Sequence, residues 1–136
     1  MNDPSNLDAR ILDQVADALI YADRSGTIRR WNRASTTLFG FTANDALGQS
    51  LDLIIPEHLR GAHWKGFDRA LESGTMKLAG RPTLTRALHK DGRKLYIEMT
   101  FALVKDEGGA VLGSVAMARD VTERVMRERG KTGIKA

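Results

Sequence analysis

The chain has no cysteine, so its three histidines are the first residues to consider as ligands to a metal or cofactor. That absence removes a disulfide scaffold, a cysteine nucleophile, thiolate zinc sites, iron–sulfur clusters and a flavin–cysteinyl adduct together. Among the three histidines, His63 has the most informative spacing. Leu59, His63, Phe67 and Leu71 fall at i, i+4, i+8 and i+12 with Ala70 beside them, which makes one apolar stripe of a helix. Arg60, Lys65, Asp68, Arg69 and Glu72 take the remaining surface, so His63 is the single ionisable group on the inward stripe. Desolvation disfavours its charged form, and a neutral imidazole is an available metal ligand. His58 lies five residues from His63, off the i, i+4 face of a helical metal pair, and His89 sits beside a turn, so no zinc site is expected. No catalytic Ser-His-Asp arrangement, paired carboxylates or phosphate-binding glycine loop is visible, so the chain is not expected to be an enzyme.

The helix carrying His63, about His58 to Glu72, needs a scaffold to turn its stripe inward. The 136 residues make one domain, and 42% hydrophobic content with three prolines is enough for a core. No apolar stretch approaches the ~20 residues of a membrane-spanning helix, and Met1 to Asn6 carries no signal pattern. A soluble, cytoplasmic protein without a membrane partner is expected.

Leu7, Ile11, Leu12 and Val15 predict a short amphipathic helix at the N-terminus. Ala18 to Ala22 and Thr27 to Trp31 read as two strands joined by the turn Asp23-Arg24-Ser25-Gly26. Asn32 caps a helix stopped by Gly40, and Thr42 with Asp45 has capping-box spacing over a single turn. After Gly74 the period becomes two. Leu84, Arg86 and Leu88 alternate with Thr83, Thr85 and Ala87; beyond the Asp91-Gly92 turn, Leu95, Ile97, Met99, Phe101 and Leu103 share one face. Tyr96, on the outer face, is a candidate dimer contact, whereas Trp31 and Trp64 read as packing residues. Val111 to Val121 gives another strand, and Thr122 is expected to cap a basic helix ended by Gly130. Strands grouped with strands and helices with helices predict an α+β fold.

These pieces in this order resemble a PAS sensor domain: Ala22 to Ile28, Trp31-Asn32-Arg33-Ala34, Phe39-Gly40-Phe41, Leu47 to Ser50, Ile55-Pro56, Lys90 to Arg93, and Arg119 to Arg124. The resemblance covers about residues 7 to 124. It implies a PAS fold, a five-stranded antiparallel sheet with short helices and one longer helix on one face, and a ligand pocket between sheet and long helix. It also implies sensing of a cofactor or metabolite, dimerisation, and a junction to an output helix at Asp120 and Thr122. The domain is assigned to residues 1–123 and a basic connector to 124–136.

The run from Ile54 to His63 further resembles haem-binding PAS sensors of the FixL and direct-oxygen-sensor type, in which a histidine of this helix is the proximal ligand. By that resemblance His63 holds the iron of haem b, with Leu59 and Phe67 beside it. Counting from Asp91-Gly92, Met99 and Phe101 fall at the apolar distal positions, Arg81 where those sensors have an apolar residue or a methionine ligand, and Thr83 where their arginine stabilises bound oxygen. Arg81, rich in donors, is a candidate to swing in toward bound oxygen. Met99 is a candidate sixth ligand to the metal, and Lys77 a candidate partner for a haem propionate. The expected signal is oxygen, carbon monoxide, nitric oxide or redox state. It would pass to a kinase, cyclase, phosphodiesterase or other regulator, either in trans or in a larger receptor from which this domain is excised. Two other readings stay open: a haem-free PAS interaction or homodimerisation module, and a sensor of another small molecule or flavin, for which no residue signal is present.

The net charge of +4 belongs to the connector. Residues 124–136 hold Arg124, Arg127, Arg129, Lys131 and Lys135 against Glu128, which leaves sixteen basic and sixteen acidic groups in the first 123 residues. Spread charges without aromatic residues do not make a nucleic-acid footprint, so no nucleic-acid partner is expected.

Overall fold

Period-two alternation builds five strands and 3.6-residue periodicity builds the helices that cover them. The computed structural model describes residues 4–76 and 80–131. The helix α1 (Pro4–Gln14) leads into β1 (Ala18–Asp23) and β2 (Ile28–Trp31). Next come α2 (Arg33–Phe39), α3 (Ala43–Ala46), a 3-10 turn (Leu51–Ile54) and α4 (Glu57–Ser73). The described residues close with β3 (Thr83–Leu88), β4 (Lys94–Lys105), β5 (Val111–Asp120) and α5 (Thr122–Lys131). The sheet is antiparallel in the order β2-β1-β5-β4-β3. The first and last strands are therefore central neighbours, and the segment between β2 and β3 must cross one sheet face, carrying α2 to α4 with it.

That face holds the core. Ala18, Ile20, Leu95, Ile97, Met99 and Ala118 from the sheet pack with Phe39 and Ile54, while Leu38, Phe41, Leu53 and Ile55 close over them. Phe39 and Ile28 are completely buried, and burial of a side chain of that size contributes about 1.5–3 kcal/mol.

Local chemistry sets the helix ends. Gly40 stops α2 in a left-handed conformation, φ 85°, where a Cβ would also strike the His89 ring. Thr42 and Asp45 form the expected capping box. Asn32 caps α2 and does more. Its side-chain oxygen accepts from the backbone N–H groups of Leu19 and Ser35, and its amide nitrogen donates to the carbonyls of Leu12 and Asp17. One buried amide thus ties α1, β1 and α2 together.

The C-terminal segment corrects three expectations. The Thr122 hydroxyl does not cap α5; it accepts from the Tyr96 backbone N–H at 2.9 Å and reaches the Tyr96 carbonyl at 3.3 Å. Asp120 instead accepts from the Thr122 N–H. Gly130 lies inside α5 and does not end it. Tyr96, the candidate dimer contact of the outer face, is covered by its own chain: Arg129 donates to its hydroxyl at 2.7 Å and lies 4.8 Å over its ring. With Val125 buried and Arg124 3.5 Å from Glu98, α5 folds back on the outer face of β4.

Candidate functional site

A cavity of about 680 Å³ lies between α4 and the inner face of the sheet. That volume falls in the range of about 300–1,000 Å³ typical of small-molecule and cofactor sites. Helix α4 contributes Leu59, His63, Phe67 and Ala70, and the segment before it Leu51, Ile54 and Ile55. The sheet contributes Ile20 and Ala22 from β1, Thr83, Thr85 and Ala87 from β3, Ile97, Met99 and Phe101 from β4, and Ser114 and Ala116 from β5. Exposed members of the lining include Arg69, Ser73, Thr75 and Arg86.

The sheet register decides which side chains face this space. Thr83 pairs with Met99 and Thr85 with Ile97, so the threonines of β3 join the apolar face of β4 on the inside. Leu84 is left on the outside, 55% exposed. Thr85, Arg69 and Arg86 were not expected to line the cavity. For Thr85 the usable signal was its two-residue offset from Thr83.

His63 borders the cavity where the helical spacing put it. Its Nδ1 atom is buried and has no hydrogen-bond partner among the described residues. The ring stands edge-on to Trp64, with centroids 4.6 Å apart and planes at 78°, and lies 5.9 Å from Phe67. Burial pushes the imidazole below its ordinary value of 6.5, with Asp52 and then Asp68 pulling the other way. The neutral form therefore predominates at neutral pH. Among the described residues no three histidine or acidic groups are placed to hold a metal ion.

Of the residues singled out in the sequence, the fold brings Leu59, His63, Phe67, Thr83, Met99 and Phe101 to this one cavity. Arg81, the candidate to swing in toward bound oxygen, is exposed and is not among the residues lining this cavity. Lys77 lies outside the described residues. Asp120 and Thr122 sit at the end of β5, away from the cavity but joined to it through register: Met99 pairs with Ala118 and Ile97 with Asp120.

Comparison with known proteins gives matches over most of the chain. A family model described as the PAS fold matches residues 12–126. An Azorhizobium caulinodans protein described as uncharacterized is 34% identical over 88% of this chain and 16% of its own length. The sensor protein FixL of Bradyrhizobium diazoefficiens is 25% identical over 83% of this chain and 22% of its own. For the oxygen sensor protein DosP of Escherichia coli the values are 24%, 82% and 14%. The chain thus spans less than a quarter of each of these curated relatives. Among solved structures, the PAS domain of a Colwellia psychrerythraea protein is 28% identical and matches with a TM-score of 0.76, covering 90% of this chain and 100% of that one. An RNA-binding light-oxygen-voltage receptor, 23% identical with a TM-score of 0.70 over 94% of this chain and 36% of that one, shares the fold. No helix among the described residues is long and apolar enough to cross a membrane.

Proposed function

The chain belongs to the PAS fold family, and from that premise we propose that it is a sensing module that takes haem b into the cavity beneath α4, where His63 would hold the metal. The signal is a diatomic gas or the redox state of the iron. One observation carries the reading: a single neutral imidazole, its Nδ1 unpartnered among the described residues, borders an apolar cavity of cofactor size. A lone imidazole cannot assemble a metal site by itself, so the metal must bring its other ligands with it, as a macrocycle does. The names of two relatives, a sensor protein and an oxygen sensor protein, support the same class of signal.

Haem supplies the gas-binding, redox-active centre; the remaining work belongs to the side chains. His63 offers its lone pair without first losing a proton. Leu59, Phe67 and Phe101 would keep water from the ring, and Met99 on β4 would be available to the metal as a second protein ligand, with Met76 also in the lining. Arg69 and Arg86, at the exposed part of the lining, would be cations available to the propionates. A shift at Met99 passes directly to Ala118 and, two residues on, to Asp120, where Thr122 holds the Tyr96 backbone. The output helix is thereby referred to the strand that lines the cavity.

A second reading has its own support. Thr83 and Thr85, with Arg81 outside the lining, give the sheet wall hydroxyls where an oxygen-stabilising arginine was sought, which suits a neutral small molecule in a haem-free sensor. Titration with haemin, followed by absorbance, separates the two. A Soret band that saturates at one haem per chain and is lost in His63→Ala is expected. Absence of a band, or a band indifferent to His63→Ala, overturns the haem reading. If the band forms, Met99→Ala changes it only where methionine is the sixth ligand.

A further inference from the structure

A metal-bound histidine ordinarily has its ring orientation fixed by a hydrogen bond from its second nitrogen. Neither ring nitrogen of His63 takes part in a hydrogen bond among the described residues, and Nδ1 is buried without a partner, so whichever nitrogen meets a metal, the ring's orientation must come from packing. Trp64 supplies that packing from an anchored position. Its indole meets the imidazole edge-on at 4.6 Å and Phe67 edge-on at 5.2 Å. Its Nε1–H donates to Asp52 Oδ1 at 2.8 Å, in the 3-10 turn. The far edge of the ring fills the space over Gly26 in the β1–β2 turn, where an added Cβ would lie 2.2 Å from Cη2. Both anchors are outside α4, so the ring cannot rotate with its own helix alone.

We propose that Trp64 is a positioning residue, which sets the plane of the His63 imidazole and refers it to the β1–β2 turn and the 3-10 turn. Its functional weight rests on the haem reading above. Loss of a group that orients a metal ligand typically weakens metal binding by about 10–100-fold, and that is the loss expected for haemin affinity in Trp64→Ala and in Asp52→Ala. Asp52→Asn, which keeps an acceptor for the indole, restores binding. Gly26→Ala places a methyl group against the indole and behaves like Trp64→Ala. Gly48→Ala, at a similar positive φ with nothing within 4 Å of the added Cβ, controls for backbone strain alone.

The second readout is the set of His63 ring signals in an NMR spectrum of the haem-free protein. They are a single narrow set in the parent and in Asp52→Asn, and are broadened or doubled in Trp64→Ala and Gly26→Ala but not in Gly48→Ala; a shift alone, which loss of the indole ring current produces in any case, does not count. If the parent binds no haemin, the haem reading falls and the ring signals alone decide the positioning. A folded Trp64→Ala protein whose ring signals stay a single narrow set overturns the proposal, as does unchanged haemin affinity of Trp64→Ala where the parent binds haemin.

Discussion

Replacing Asn32 with alanine removes far more than a helix cap. The amide oxygen accepts from Leu19 N at 2.9 Å and from Ser35 N at 3.0 Å, and the amide nitrogen donates to Leu12 O at 2.8 Å and Asp17 O at 3.0 Å. Backbone N–H groups only donate and carbonyls only accept, so the orientation of this amide is dictated by its partners. The residue is 4% exposed, and water cannot take over these bonds without entering the structure. At about 1 kcal/mol net for each bond, the four together contribute about 4 kcal/mol, a large part of the about 5–15 kcal/mol that holds a domain folded. Asn32→Asp keeps the accepting oxygen; protonated, its one O–H still donates to one of the Leu12 and Asp17 carbonyls, and ionised it donates to neither while its charge faces both. Its loss should be about 1 kcal/mol when the carboxyl is protonated, passing about 2 kcal/mol as it ionises. Urea denaturation followed by circular dichroism measures both variants. A loss for Asn32→Ala within the about 1 kcal/mol typical of an ordinary N-cap would refute the claim that this amide joins three elements.

Burial holds the folded-state pKa of His63 below 6.5, so below that value the unfolded chain binds a proton that the folded chain refuses. Stability contributed by the neutral ring is full above 6.5 and declines as pH falls from there toward the folded pKa; urea melts of the haem-free protein at about pH 7.5 and about pH 5.5 should show that decline flattened in His63→Ala, and an equal slope in both proteins counts against it. Tyr96→Phe deletes the acceptor for Arg129 and keeps the ring beneath it, which should weaken docking of α5 by about 0.5–1.5 kcal/mol. Amide exchange should then quicken in α5 by up to about tenfold while β1 and β5 keep their protection; unchanged exchange in α5 would show that the hydroxyl contributes nothing to docking.

The elements that repeat locally were legible in the sequence. Leu95, Ile97, Met99, Phe101 and Leu103 announce one strand face by alternation, and Leu59, His63, Phe67 and Leu71 announce one helix face, because both periods follow from backbone geometry over a few residues. The Thr42–Asp45 box and the Asn32 cap were legible for the same reason, as their partners lie three residues away. A histidine on an apolar stripe was therefore visible, and with it the centre of the candidate site.

What local spacing leaves open is which partner meets each face. On β3 either face satisfies the alternation, and only pairing with β4 turned Thr83 and Thr85 inward and Leu84 out. Arg81 reads as a pocket donor by counting along the chain, yet it lies exposed just before the strand begins. Tyr96 alternates with the core and so belongs to the outer face, and nothing within its own strand reveals that α5 returns to cover it. Trp64 meets Gly26 across 38 residues of sequence. The sequence by itself determined the elements, their faces and the imidazole on α4. The tertiary structure decided the strand register, the covering of the outer face and the bracing of that imidazole, because long-range pairings are selected by the free energy of the whole packed chain and not by any one segment's period.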